Sequence, residues 1–596
     1  MLIYYELTII LNLNITNYFK ERIMAFDGIV TKAIASELQQ LSGARIDKIF
    51  QPNKNNIILG FYLNGTNYAL NICTDPKNYR IHLTTHPKKN PQVAPNFCMV
   101  LRKHLIGLHI KNIITSKLER VVTIEFEGFD DVDDIITKKL VIELMGRHCN
   151  IILLDEQNVV IDSLRHINNE NSLRTIVPHV KYAYPTTGKL NFLDCVDFEQ
   201  FVKDIDIKDI DTFIASITNT YNGISKKFIT HIIKKFNIKE INNDSAKQVY
   251  LYLSDIIKNT DSLNLEFEIT TDKSKDDYFL ISKNNNELFN LNFFIDDFYY
   301  EKETSEEFVN YRNSILKLIL NELKKYEKRL ININEKLQNC KDMDKYRLYG
   351  ELITANLYKI QNQNVNHIEL ENYYDNNKII SIPLDNKYTP SINAKRYFKK
   401  YNKLKNALEI VSIQKKETEE ELSYIESIVY ELEAAATIEE ISNIFEEISE
   451  NVIFKDKISY QKKNNSKIKK SKLTKNKNVS FNPLKYTIDG YTLLVGRNNK
   501  ENDYLTLKYA KKTDLWFHTK DIHGSHAILL MNNKIPNNDI LIKCAEIAAY
   551  HSKARNSSNV PVDICEVKYV KKPNGAKPGM VIYTNNQTLN VQPKVK

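Results

Sequence analysis

The sequence predicts an α+β multidomain protein, and three observations lead there. Short apolar runs flank Asn64-Gly65 at 57–63 and 68–73, the signature of an antiparallel β-hairpin. Two long stretches in the second half repeat apolar residues at alternating steps of four and three, the spacing of paired helices. Glycine and proline number 15 each in 596 residues, about 5% against roughly 12% in average usage, which favours long regular elements. A length of 596 residues suggests about four units. A composition of 42% hydrophobic and 26% charged residues excludes wholesale disorder.

In chain order, residues 1–23 are apolar in patches, but Glu6 interrupts them and Asn12, Asn14, Thr16 and Asn17 follow. A signal peptide or a membrane span has a different pattern. Met24 reads as the working start and 1–23 as an N-terminal extension. Residues 24–172 read as a mixed α/antiparallel-sheet domain, with further strands at 121–126, 140–144 and 151–154. A helix at 97–108 carries Arg102-Lys103-His104. Residues 173–300 read as a helical region. There Gly223-Ile224-Ser225 opens a basic helix, which resembles half of a helix-hairpin-helix able to hold phosphate on backbone N–H groups; an ordinary bundle helix fits the same residues.

Residues 301–450 carry the two heptad seams. The first is Ile319, Leu323, Tyr326, Leu330, Ile333 and Leu337. The second runs from Tyr397 through Leu404, Val411, Thr418 and Ile425 to Leu432. They predict a long antiparallel coiled coil with a β-hairpin at 368–384 inside a middle tip module of about 361–390; a parallel dimer is the competing reading. Residues 451–483 form a linker with ten lysines between 455 and 477, either a tether or an arm for a polyphosphate partner. Residues 484–596 return to α+β character, with strands at 491–495, 504–509, 564–570 and 580–583 and a helix at 538–552. The net charge is +9. Seven scattered cysteines, odd in number and without a CxxC pair, argue against disulfides and zinc ribbons and fit a reducing cytosol.

Several long motifs occur in one order. They are Met24-Ala25-Phe26-Asp27-Gly28, Asn96 to Leu105, Glu143-Leu144-Met145-Gly146-Arg147-His148-Cys149-Asn150, Tyr349 to Asn356, Ala394 to Leu404, and Asp514-Leu515-Trp516-Phe517-His518 with Gly524-Ser525-His526. Together they resemble the NFACT family in its bacterial RqcH branch, over essentially everything from Met24 onward. The resemblance implies an NFACT-N domain at 24–172, a helix-hairpin-helix-like region, a coiled-coil arm and a C-terminal NFACT-R RNA-binding domain. It implies a cytoplasmic ribosome quality-control factor that binds the large ribosomal subunit and its rRNA when obstructed by peptidyl-tRNA. Such a factor recruits tRNA, alanyl-tRNA above all, for template-free alanine tailing, alongside the small accessory factor RqcP. The chemistry belongs to the ribosome, so no catalytic residue, metal, cofactor or membrane contact is expected.

The resemblance also implies site residues. Asp27 matches the family's early Asp. Glu119-Arg120 matches an Asp-Arg pair, with Glu keeping the charge and lengthening the side chain by one methylene. An Arg fork beside a carboxylate suits phosphate and base edges. Arg102, Lys103 and Arg147 are basic candidates for tRNA contact on the same domain, or simply solvated charges. In the C-terminal domain Trp516, His518, His523 and His526 suggest RNA contact or a structural role; zinc ligation lacks a further ligand at suitable spacing.

Two rival functions remain. The family's older label, fibronectin-binding protein A, suggests a surface adhesin, yet a secretion signal and a wall anchor are missing; protease shaving of intact cells separates the two. A glycosylase of the formamidopyrimidine type needs a Pro after the initiator, whereas Ala25 follows Met24.

Overall fold

The computed structural model describes residues 26–129, 134–168, 174–272, 275–283, 290–360, 365–451, 453–454, 481–532 and 534–595. The expected extension at 1–23 and the lysine run at 455–477 lie outside the described residues. The chain forms two units, one up to Thr304 and one from Ser305 onward, and each is described by itself.

In the first unit, helix α1 (Gly28–Leu38) lies against a nine-stranded antiparallel sheet. Its strands are β1 (Arg45–Asn53), β2 (Asn56–Leu63), β3 (Thr66–Cys73), β4 (Arg80–Leu83), β5 (His109–Thr115), β6 (Val121–Phe129), β7 (Ile135–Glu143), β8 (Asn150–Leu154) and β9 (Val160–Ser163). The spatial order is β4-β3-β2-β1-β5-β6-β7-β8-β9. Asn64 and Gly65 take φ of 48° and 83°, so the hairpin turns in two residues as its sequence predicts. Alternation sorts the side chains by face. Val122, Ile124, Phe126, Leu140 and Ile142 join the main core with α1. Val121, Val141 and Ile152 form a smaller cluster on the opposite face.

Helix α2 (Asn96–Leu105) precedes β5, and four helices follow the sheet: α3 (Phe198–Asp204), α4 (Ile210–Thr220), α5 (Lys226–Lys235) and α6 (Asn243–Ser262). Asp197, Asp209, Ser225 and Asn242 cap their N-termini with side-chain acceptors. Two features differ from the expected helical region at 173–300. A hairpin, β10 (Leu265–Asp272) with β11 (Lys275–Ser282), is built into it, and Phe267 and the consecutive Tyr278 and Phe279 are all buried in the main core, so both faces of the hairpin are covered. Helix α7 (Leu291–Cys340) also begins before the expected boundary at 300, and Glu37 holds its start by accepting from the Leu291 and Asn292 N–H groups.

In the second unit, α8 (Met343–Ala355) leads to a hairpin of β12 (His367–Asn372) and β13 (Lys378–Pro383), then to α9 (Pro390–Ala434) and α10 (Ile438–Glu450). Gly350 lets α8 approach Phe398 of α9 closely, and Tyr349 meets Tyr397 edge-on at 5.4 Å. The seam residues Ile319, Leu323, Ile333, Val411, Thr418, Ile425 and Leu432 are buried.

The C-terminal module holds a six-stranded sheet, a separate two-stranded pair and two α-helices among the described residues. In chain order it comprises β14 (Leu484–Ile488), β15 (Tyr491–Val495), α11 (Asn499–Tyr504), β16 (Leu515–Thr519), β17 (Ala527–Leu530), α12 (Asn538–Tyr550), β18 (Val560–Glu566), β19 (Val570–Lys571), β20 (Ile582–Tyr583) and β21 (Gln587–Val591). The sheet order is β14-β15-β17-β16-β18-β21. The strand expected at 504–509 is instead the end of α11 and a π-helical turn, Leu505–Tyr509. Its alternating Leu505, Leu507 and Tyr509 mimic a strand, but local hydrogen bonds win. Asn498 caps α11, and the Glu501 carboxylate accepts from the Asn482 and Arg497 N–H groups, both at 2.8 Å.

Candidate nucleic-acid interface

Asp27 sits where two helices begin. One carboxylate oxygen accepts from the N–H groups of Ile29 (3.1 Å) and Val30 (3.2 Å), capping α1. The other accepts from the hydroxyl of Ser225 (2.8 Å), itself the cap of α5. The Gly28 N–H donates to the Gly223 carbonyl at 2.8 Å. Gly223 adopts φ of +74°, and a Cβ on Gly28 or Gly223 would fall on the Leu118 carbonyl oxygen. Three backbone segments therefore meet with no room for a side chain: the start of α1, the turn before β6 and the turn before α5. Burial pushes the Asp27 carboxyl up to about 6, against the opposing pull of the Ser225 and Val30 hydrogen bonds and the Arg120 charge.

Sheet register gathers further candidates at this end. Val121 pairs with Glu143, and Glu143 with Asn150, so the β5–β6 and β7–β8 turns share one edge. Arg120 is half-buried and donates to the Tyr79 hydroxyl (3.2 Å) from the β3–β4 turn. Its backbone carbonyl accepts from the Leu144 N–H at 2.8 Å. Glu119 faces differently: its charge reaches Tyr184, whose hydroxyl is raised by burial first and Glu119 second. Arg147 is exposed in the β7–β8 turn and donates to His148 at 3.0 Å.

Arg102 and Lys103 are not part of this group. Arg102 donates to the Ile49 carbonyl (2.9 Å) in mid-β1, tying α2 to the sheet. Lys103 is exposed on the last turn of α2, which leads toward the opposite edge. The structure thus brings the Arg120 charge to Asp27, places Glu119 and Arg147 in turns at the same end of the sheet without a side-chain hydrogen bond to that pair, and leaves Arg102 and Lys103 apart.

Three residues of the junction were missed as site residues. Ser225 and Gly223 were legible only as a phosphate-binding turn, and Tyr79 gave no local signal. Arg165 closes the same edge, donating to the Cys149 and Thr74 carbonyls and to Asn55 at 3.0–3.1 Å. Glu143 is buried and held by Arg174 (2.6 Å) and Tyr182 (2.8 Å). Among the described residues, His86, Asp296 and Asp297 place potential metal-ligating atoms within 4.8 Å of one another. They also have partners of their own: His86 bonds Asp297 (3.1 Å) and stacks on Tyr300 (3.8 Å), and Asp296 accepts from the Thr85 N–H (2.7 Å).

In the C-terminal module two of the three histidines, His518 and His526, meet edge-on at 5.5 Å and the third turns away. Trp516 is fully buried, with His518 stacked on it at 5.4 Å and His526 edge-on at 5.3 Å. His526 is buried and bonds the Thr506 hydroxyl at 2.8 Å. Burial pushes His518 down to about 4 and His526 down to about 3, so both are uncharged at neutral pH. His523 turns outward to Glu426 at 3.1 Å. Trp516 and His526 are therefore closed to solvent, while His518 and His523 are half-buried.

Where α9 and α10 meet, Glu431 and Glu447 are both buried. Burial raises both carboxyls, and the Glu447 charge raises Glu431 further. A raised carboxyl keeps its proton longer in the folded state. Its contribution to stability is complete below the unfolded value of 4.5 and is lost as pH rises toward the folded one. Glu431→Gln should therefore raise the melting temperature at pH 7, by about 1–2 kcal/mol of stability. The gain should vanish near pH 4 in thermal unfolding across that range; equal gains at both pH values would refute the raised carboxyl.

Residues 27–467 match the family model described as NFACT N-terminal and middle domains, and residues 477–585 match that of the NFACT protein RNA binding domain. The chain is similar to the Rqc2 homolog RqcH of Bacillus subtilis (strain 168), 33% identical over 583 residues covering 96% of this chain and 98% of that protein. It is equally similar, at 33% with the same coverage, to the Rqc2 homolog RqcH of Streptococcus suis (strain 05ZYH33). A solved C-terminal structure of the fibronectin/fibrinogen-binding protein from Streptococcus suis is 34% identical and covers 48% of this chain and 96% of that one, with a TM-score of 0.36. Among the described residues no helix is long and apolar enough to cross a membrane. Matches that run from Asp27 through the C-terminal module, in the order the motifs predict, show that the chain belongs to the NFACT family.

Proposed function

We propose that this chain is a ribosome quality-control factor of the RqcH kind. It binds the large ribosomal subunit obstructed by peptidyl-tRNA and recruits alanyl-tRNA, so that the subunit adds alanines to the stalled chain without a template. The chain acts by binding and positioning, and peptidyl transfer remains with the ribosome. The observation that carries this reading is full-length similarity to two proteins named Rqc2 homolog RqcH, together with a C-terminal RNA-binding family match.

In this reading the edge bearing Asp27, Glu119, Arg120 and Arg147 takes the tRNA. A guanidinium near a carboxylate offers donors and an acceptor to phosphate, 2′-OH and base edges. The seams of α7 and α9 pair as an antiparallel arm with the β12–β13 hairpin toward its tip, the arm and the lysine run engage rRNA, and RqcP acts as an accessory on the same subunit.

The test is sedimentation of the tagged protein with sequencing of copurifying RNA. Large subunits and tRNA-Ala are expected; free protein without RNA would overturn the reading. Ten lysines at 455–477 facing a polyanion should give a steep salt dependence, with a log–log slope of several units. Deleting 455–477 should flatten that slope in cosedimentation across a salt series. An unchanged slope would make the segment a tether only.

A further inference from the structure

Four ion pairs join the C-terminal module to α9 and α10, and all run the same way. Glu421 meets Lys577 at 3.0 Å, Glu426 meets His523 at 3.1 Å, Glu440 meets Arg497 at 2.6 Å and Glu450 meets Lys500 at 2.6 Å. The acid is always on a helix and the base always on the module. The helical side also carries an excess of acceptors. One carboxylate oxygen each of Glu421, Glu431 and Glu447 is buried without a donor, and Arg497 Nε is buried without an acceptor. The remaining anchors are polar: Asn499 donates to the Ser427 hydroxyl at 3.1 Å and to Glu447 at 3.4 Å.

A contact held by partly exposed charge pairs, with carboxylate oxygens left over, is open to competition by salt or by another polyanion. The competitor needs what the helices supply: negatively charged acceptor oxygens in a row. An RNA backbone is such a partner. We propose that Arg497, Lys500, His523 and Lys577 belong to the RNA-binding surface of the C-terminal module, and that the acidic face of α9 and α10 occupies this surface until RNA displaces it. The inference rests on the RNA-binding reading of that module. RNA then exchanges a carboxylate for each phosphate gained, and the apparent affinity is lowered by the fraction of molecules that are docked.

The test uses the full-length chain and a fluorescein-labelled poly(U) oligonucleotide at low salt. In the triple variant Glu421→Gln, Glu440→Gln, Glu450→Gln the charges leave the helices while the module is untouched. Glutamine keeps the capping-box acceptor of Glu440 for Thr437 and Ala436. Poly(U) affinity is expected to rise about five- to twenty-fold, given the contribution of three partly exposed pairs. Wild-type binding that is unchanged or weakened in the variant would overturn the masking proposal and leave RNA binding standing. Absence of binding in both proteins would overturn both. A measurement on the unmodified chain guards against a folding defect: saturating poly(U) should speed hydrogen exchange in α10, and unchanged or slower exchange there would also overturn masking.

Discussion

Arg120→Ala is expected to reduce copurification of tRNA with the large-subunit complex by roughly ten- to a hundred-fold, while large-subunit binding survives. The change removes a charge-assisted fork typically contributing about 1.5–3 kcal/mol. The fold should tolerate it, because the backbone carbonyl of Arg120 still receives the Leu144 N–H; what is lost is the side-chain bond to Tyr79 and the pull of the guanidinium charge on Asp27. The neighbouring position gives a sharper contrast. Glu119→Asp keeps the charge and should retain tailing of a stalled reporter, whereas Glu119→Gln should lose most of it. C-terminal tail mass on the reporter reads both. Full tailing in Arg120→Ala and Glu119→Gln together would remove these residues from the site and shift attention to Arg147, Arg102 and Lys103.

The second large effect is on stability. Gly223→Ala should destabilise the first unit by about 3 kcal/mol or more, since the residue holds a left-handed backbone angle and its new Cβ meets backbone rather than a yielding side chain. The Asp27–Ser225 bond depends on the same turn, so tRNA recruitment should fall with stability. Asp27→Asn is the useful companion. It retains a side-chain oxygen for the α1 cap but replaces the acceptor that faces the Ser225 hydroxyl with an NH2 donor, so it should cost recruitment and about 1 kcal/mol of stability. Urea titration of both variants decides; a Gly223→Ala midpoint equal to wild type would show that the junction of the three segments relaxes freely.

Much of this architecture was legible in local patterns. The Asn64-Gly65 hairpin, the alternation in β6 and β7 and the helical character of α7 and α9 are signals carried by neighbouring residues. What escaped depends on partners far away in sequence. Leu505 to Tyr509 alternates like a strand, yet Asn498 caps the helix before it by accepting from the Glu501 N–H, and the Glu501 carboxylate fixes that helix to the Asn482 N–H, 19 residues earlier in the chain. The β10–β11 hairpin lies in a stretch dominated by helices, and its aromatic residues find their core only across α5, α6 and the start of α7. At the candidate site, Asp27 and Arg120 were readable from motif resemblance, but their meeting with Ser225 and Tyr79 spans separations that no spacing rule encodes. Trp516 and His526 looked available for RNA because aromatic and imidazole side chains suit it, and only packing reveals that they are buried.

The shared cap at Asp27 also ties the carboxylate's lone pairs to the fold. A carboxylate offers about four acceptor positions; the Ile29 and Val30 N–H groups and the Ser225 hydroxyl take three of them, and the Ser225 backbone N–H bears on the same carboxylate. The acceptors are thus filled from within, beside a group whose removal from water already disfavours its charge. An outside donor gains an oxygen here only by evicting one of these partners, and the first turn of α1 or of α5 then loosens. A visitor at Asp27 is therefore felt at once in two helices that lie far apart in sequence.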